Sequence, residues 1–255
     1  MNNYLETYID GLKKILDCIL SEQQENIRRA GHLVADSLSS GGVIHTFGTG
    51  HSHIISEEVF FRAGGIAAVN PILDERLIFL KGALESTRAE REEGFAQKII
   101  AGEDVRDTDT AIIISNSGRN AVPVEMALEM KKRGAKVIAI TSLGPSCATT
   151  ARWSGGKKLY EVADLSIDNC VPPGDALVKL DGLASKTAAS STVAGAAIVH
   201  SIVIAALEEL LAAGKPTPVL QSANVAGSTA DALKAALEPY RGRIRYIDPD
   251  TELDQ

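Results

Sequence analysis

Aromatic side chains are scarce in this chain: Phe, Tyr and Trp make up 4% of its 255 residues. Its core must therefore be built from aliphatic residues, and the abundance of Gly, Ala, Val and Ile suits a layered α/β protein better than an all-β sandwich. Cysteine is equally sparse. Cys18, Cys147 and Cys170 are an odd number at long, irregular intervals, which excludes a disulfide framework or a zinc knuckle and predicts reduced thiols in a cytoplasmic protein. Basic charge is in deficit, with 26 Lys and Arg against 33 Asp and Glu and a net charge of −7, and no basic block relieves it. A nucleic-acid groove is not expected on such a chain. The first residues, Met1 to Lys14, carry early acids and no apolar core, so no signal peptide is expected. No membrane span is expected either. The longest apolar stretch, Ala194 to Leu207, is interrupted by His200 and Ser201 and reads as a buried helix.

What the chain does have is enough apolar residue, 45% against 23% charged, to fill one large core. A single domain of this size buries roughly 72–75% of its unfolded-chain surface. From Tyr4 to Leu38 apolar residues recur at helical spacing, which predicts one long helix or two joined by a short break. Strands are expected at Val43–Phe47, Ile66–Val69, Thr110–Ile114, Val137–Thr141 and Ala163–Asp168. Between them fall helices at Ser52–Arg62, Glu85–Ile100 and Val122–Arg133, and a last long helix at Ser191–Ala213. A short helix is expected at Ala230–Leu237. Strands alternating with helices, with Val/Ile runs in the strands, imply a parallel sheet covered on both faces. The chain thus reads as one domain of three αβα layers. Residues 1–40 are an N-terminal helical extension, 41–213 the α/β core and 214–255 an irregular tail, free to close over a site. Ligands of such sheets bind beyond the carboxyl ends of the strands.

Two loops fall at those ends. Gly48-Thr49-Gly50-His51-Ser52-His53 sets glycines between a strand and a helix, where backbone N–H groups can approach an anion. As a dinucleotide fingerprint it is poor, because His53 stands at the third glycine position. Ser115-Asn116-Ser117-Gly118-Arg119-Asn120 is richer. Two hydroxyls, an amide and backbone N–H groups suit the three terminal oxygens of a phosphate. The competing reading is that its serines merely cap a helix. Neither loop has a Walker lysine, so nucleotide hydrolysis is not indicated.

Ile114–Asn120, the helix after it and Lys136–Thr141, with the Gly48–Ser52 loop upstream, resemble the SIS (sugar isomerase) domain. The resemblance spans about Tyr4 to Ala213 and is near the stand-alone bacterial branch that holds phosphoheptose isomerases. It implies a five-stranded, flavodoxin-like sheet and a phosphosugar ligand, with sites often at a subunit interface. By resemblance Gly50, Ser52, Ser115, Asn116, Ser117 and Asn120 hold the phosphate. His53, Gly174 and the Ser190-Ser191-Thr192 run, with Ser191 and Thr192 foremost, would contact the sugar.

Resemblance also locates the departures. Where phosphoheptose isomerases carry a metal-binding His and, one turn later, a catalytic Glu, this chain has Glu58 and Arg62. Etherases of the family likewise carry an acid at the Arg62 position. His200 does match a catalytic, metal-binding His. Aldose–ketose isomerisation needs a base near C2. Glu57, Glu58, Glu90, Glu93 and His200 are the candidates for proton transfer, each with a competing role in helix-end charge or on a solvated face. A divalent metal would fall near His53, Glu57 and His200, although the expectation is that no metal is needed. Three functions follow from the resemblance: an isomerase working through an enediol, a phosphosugar sensor without chemistry, and a phosphosugar lyase. The apolar stripe of the first helix predicts a homodimer or higher homo-oligomer.

Overall fold

The computed structural model describes residues 3–222 and 229–247. Asn3 caps the first helix by accepting the Glu6 N–H at 3.2 Å, and α1 (Tyr4–Glu22) follows. Gln23 breaks the pattern, and α2 (Gln24–Ser39) continues it as a second helix. The break is tied to the sheet, because the Gln23 side-chain oxygen accepts the Asp168 N–H at 3.2 Å. The core then runs β1 (Ile44–Gly48), α3 (His53–Glu58), β2 (Val69–Ile72), α4 (Ala83–Ala89), α5 (Phe95–Ile100), β3 (Thr110–Ile114) and α6 (Ala121–Lys132). It continues with β4 (Lys136–Thr141), α7 (Leu143–Cys147), α8 (Leu159–Val162), β5 (Leu165–Asp168), β6 (Ala176–Val178), β7 (Thr187–Ala189), α9 (Ser191–Ala212) and α10 (Ala230–Leu237).

Five strands pair in parallel in the order β2-β1-β3-β4-β5, and β6 and β7 form a separate antiparallel hairpin. Successive strand residues point to opposite faces, so each aliphatic run feeds two cores. Ile112, Ile114, Ile138 and Ile140 pack under α1, α2, α3 and α9. Ala111, Ile113, Val137 and Ala139 pack with Phe47 under α4, α5, α6 and α8. These are the three layers the sequence predicts. Gly31 lets α2 lie directly on α9, since a Cβ there would sit 2.9 Å from the Ala205 carbonyl carbon. By length and composition α9 could cross a membrane, yet Ile198, Ile202 and Ala206 on it are buried in the core.

Several expectations are corrected. The second strand starts three residues late, because Ile66 to Ala68 pack on the tail: the Ala67 N–H donates to the Pro218 carbonyl and Ile66 bridges Val219. Val69–Ile72 with its Pro71 forms the edge strand instead, where a missing N–H is tolerated. The helix expected at Ser52–Arg62 ends at Glu58, ahead of Phe61 with its positive φ of 43°. Glu85–Ile100 is two helices split at Gly94, which adopts a left-handed φ of 78°. Helices α7 and α8 and the β6–β7 hairpin were not read from the sequence at all. Cys18 and Cys170, expected as reduced thiols, are joined in a disulfide across 152 residues, and Cys147 is free.

The described tail does not lie over the strands' carboxyl ends, where it was free to close a site. Leu220, Tyr240 and Ile244 pack on Val43, Ala67 and Ala68, the residues that enter β1 and β2. Beside them a buried polar network binds the tail. Asp109 accepts from His45 Nε2 at 3.1 Å, the Val43 N–H at 2.9 Å and Arg243 at 2.7 Å. Asn70 donates to His45 Nδ1, which leaves the His45 Nε2 proton for Asp109. The rest of the 214–255 segment, 223–228 and 248–255, lies outside the described residues.

Candidate functional site

The strand order reverses between β1 and β3, and the loops that leave their carboxyl ends stand side by side at this switch point. The first loop turns so tightly that a Cβ on Gly48 would lie 2.5 Å from the Ser52 carbonyl oxygen. Gly50 takes a φ of 54° and donates its N–H to the Leu77 carbonyl at 3.0 Å, which ties the loop to the segment after β2. The His53 ring donates from Nδ1 to the Gly50 carbonyl, and Nε2 stands 3.4 Å from Glu57. Phe79 backs both imidazoles, its ring centroid 4.9 Å from His51 and 5.8 Å from His53.

The second loop is held from within and from its neighbours. Ser115 Oγ accepts the Gly118 N–H at 3.2 Å. Gly118 has a φ of 60°, and a Cβ there would meet Thr141 Oγ1 at 2.8 Å, so only glycine fits. Asn116 accepts from Asn169 Nδ2 at 2.9 Å. Asn120 occupies the N-cap of α6 but makes no capping bond to it, and its side-chain oxygen accepts from Arg152 at 3.1 Å instead. Ser117 is exposed, and its hydroxyl has no hydrogen-bond partner among the described residues. Helix capping thus explains only part of this loop: Ser115 is used locally, whereas Ser117 is open.

The predicted acids separate. Glu90, which caps the end of α4, joins the first loop to α6: its carboxylate accepts from Thr49 Oγ1 at 3.0 Å and its carbonyl accepts the Val122 N–H of α6. Glu93 does not face them. It accepts from the Ser154 N–H at 2.7 Å and the Ser154 hydroxyl at 2.6 Å, which hold its carboxyl below the ordinary carboxylate range. Glu58 is shared by Arg62, one turn on, and His200 Nε2 at 3.2 Å. Burial first, and then the Arg62 charge, push the His200 imidazole below its ordinary value. His53 faces Glu57 while His200 faces Glu58, so the set His53, Glu57 and His200 is not gathered. Among the described residues no three His, Cys, Asp or Glu side chains form a group that could hold a metal ion.

Of the residues expected to contact the sugar, Ser190 and Ser191 are bound to Asp175 beside Gly174. The Ser191 hydroxyl donates at 2.7 Å, and both N–H groups donate to the same carboxylate. Burial opposes ionisation of Asp175, but these bonds outweigh it and hold the carboxyl low. Thr192 follows in the first turn of α9. Sequence reasoning missed Asp175, Asn169, Phe79 and Arg152. Arg152 lies in a stretch without periodicity 32 residues from Asn120, and nothing local marks it.

The model of the SIS domain matches residues 7–142, from α1 to the end of β4, and includes both loops. The chain belongs to the SIS-domain family. A UPF0309 protein of Geobacillus kaustophilus is 38% identical over 251 residues, which cover 98% of this chain and all of the relative. A UPF0309 protein of Listeria monocytogenes is 42% identical over 95% of this chain and 98% of its own length. The fold is shared with a phosphoheptose isomerase from Francisella tularensis, at a TM-score of 0.51, 19% identity and coverage of 82% of this chain and 100% of that one. A phosphoheptose isomerase from Neisseria gonorrhoeae gives 0.50 at 16% identity over 78% and 94%. This SIS domain is therefore a five-stranded, doubly wound sheet whose two donor-rich loops flank the switch point.

Proposed function

We propose that this SIS domain binds a phosphosugar at the paired loops and acts on it as an aldose–ketose isomerase. The observation that carries the reading is the second loop at the switch point: Ser117 open, Asn120 free of its helix, and backbone turned over Gly118 beside the start of α6. Such a cradle offers hydroxyl and N–H donors to phosphate oxygens. Ser115, Asn116, Ser117 and Asn120, with Gly50 and Ser52 of the first loop, form the phosphate end. Glu90 is the base we assign, because it is the predicted acid whose carboxylate touches the first loop, at Thr49, while its carbonyl holds the first turn of α6. It would take the C2 proton of the open-chain sugar and return it at C1. His53, Ser191 and Thr192 remain the groups proposed for the sugar hydroxyls. The protein is proposed to act in the cytoplasm.

One observation favours a sensor without chemistry: Glu58 is tied up by Arg62 and His200, so the helix after the first loop offers no free carboxylate at its end. One experiment separates the two. A thermal-shift panel of hexose, pentose and heptose phosphates identifies a ligand; at about 100 times its Kd it stabilises by roughly 2.7 kcal/mol, or about 5–10 °C. Ser115→Ala/Ser117→Ala abolishes the shift. Turnover in deuterium oxide then places label at C2, and Glu90→Gln lowers that exchange by roughly 10²–10⁴-fold. Binding without exchange makes the protein a sensor, and a flat panel refutes the phosphosugar reading.

A further inference from the structure

Most arginines of this acidic chain are neutralised. Among the described residues Arg28, Arg62, Arg76, Arg88, Arg106, Arg133, Arg241, Arg243 and Arg245 all pair with a carboxylate. Arg29, Arg91, Arg119 and Arg152 do not. Arg29 lies on α2 and donates to Asn26, whereas Arg119 and Arg152 meet beside the second loop and the charge of Arg91 reaches Arg152. Arg119 belongs to the loop. Its carbonyl accepts the Arg152 N–H at 2.9 Å, and Arg152 Nη1 donates to Asn120 Oδ1 at 3.1 Å. Arg91 follows Glu90, the residue bound to Thr49 of the first loop and to Val122 of α6. The Nε of Arg119 is buried without any hydrogen-bond partner, a group that ordinarily costs stability unless something satisfies it. The cluster is felt electrostatically too. Burial and then the charges of Arg119 and Arg91 push the Arg152 guanidinium below its ordinary value, and Glu90 alone opposes them.

Arg152 is also held in place by design of its segment. The Trp153 indole donates to Glu125 at 3.1 Å, and Ser154 is bound twice to Glu93. Lys158 closes the segment by donating to the Ser146 and Thr149 carbonyls at 2.8 and 2.9 Å. Three anchored residues, Trp153, Ser154 and Lys158, thus position a guanidinium that pairs with no carboxylate. Among the charges that act on Arg152, those of Arg119 and Arg91 outnumber Glu90, in a molecule of net charge −7.

We infer that Arg119 and Arg152, with Arg91 behind them, form a second anion subsite, and that the ligand of this SIS domain is a sugar phosphate bearing a second acidic group. The inference rests on the phosphosugar reading and narrows it to a substrate class. Guanidinium forks match carboxylate and phosphate oxygens in pairs, so the shared chemistry is a planar or tetrahedral oxyanion on the sugar.

The test measures Kd by calorimetry for four probes: inorganic phosphate, glucose 6-phosphate, 6-phosphogluconate and fructose 1,6-bisphosphate. A doubly acidic probe binds at least tenfold tighter than glucose 6-phosphate. An excess confined to 6-phosphogluconate assigns a carboxylate to the subsite; one confined to the bisphosphate assigns a second phosphate. Arg152→Gln, and independently Arg91→Gln, reduces the ratio of the two affinities several-fold. The ratio cancels any common effect on folding or on the phosphate loop. Arg88→Gln, whose arginine is paired with Glu85, leaves the ratio unchanged. Equal affinities for single and double anions overturn the subsite while the phosphosugar reading stands. A loss of all affinities in step, with the ratio constant in Arg152→Gln and Arg91→Gln, also overturns it. If no sugar phosphate binds, both readings fall together.

Discussion

His200 and Asp109 are both shifted below their ordinary values, for different physical reasons and in different pH windows. His200 is pushed down by burial and by Arg62, so the folded protein resists a proton that the unfolded chain accepts. Its contribution is complete above the unfolded value near 6.5 and declines as the pH falls below it. At Asp109 burial raises the carboxyl, but the bonds from His45, Val43 and Arg106 outweigh it and hold it below the ordinary value. That contribution is present above the unfolded value near 3.9 and is lost as the pH falls through the folded one. Stability should therefore decline in two stages on acidification, a shallow one below about 6.5 and a steeper one below about 4. Urea midpoints from pH 8 to pH 3 measure it, and His200→Gln should remove the first stage only. A single transition in the wild type would refute the assignment.

At the scale of elements, the strands that the sequence shows best are those with no other use for their residues. Ile112 to Ile114 and Val137 to Ile140 have both faces in aliphatic cores, so continuous apolar runs mark them. Ile66 to Ala68 are just as apolar, but the tail claims them, and a pattern cannot say which neighbour buries a side chain. The β6–β7 hairpin escapes for the opposite reason: three-residue strands of Ala, Leu, Val and Thr carry too little periodicity. The loops of the candidate site were legible because Gly and short donors cluster at strand ends. Their supports, Asn169 and Arg152, arrive from distant segments and leave no local trace. The disulfide of Cys18 and Cys170 was hidden in the same way, by 152 residues of separation. The tail gives an element-scale prediction. Arg243 is the cation that brings the 241–247 segment to buried Asp109. Arg243→Gln removes a charged donor from that carboxylate while His45, Val43 and Arg106 still hold it, and should cost about 1.5–3 kcal/mol, read as a lower urea midpoint. No loss would show that the tail is merely laid against the core.

For the whole molecule, the unanswered surface is on the helical layer formed by α1 and α9. Leu5 and Leu20 are 82% and 66% exposed on α1, and Ile204 and Leu211 are 58% and 67% exposed on α9. Single exposed aliphatics are ordinary, but several on adjoining helices mark a contact face. We expect a second copy of the chain to cover it. Sedimentation at micromolar concentration should give about twice the 27.0 kDa chain mass, and Leu5→Glu/Leu20→Glu should return the monomer. A wild-type monomer would refute the dimer.

The buried lock of His45, Asp109 and Arg243 stands at the amino ends of the strands, and the loops we propose for the anion stand at the carboxyl ends. The length of a β-strand separates what keeps the protein alive from what it recognises. Lesions in the lock should thin the cellular population, because unfolded copies are destroyed, while every surviving copy reads its ligand unchanged. Lesions in the loops should do the reverse, leaving a full complement of molecules that recognise nothing.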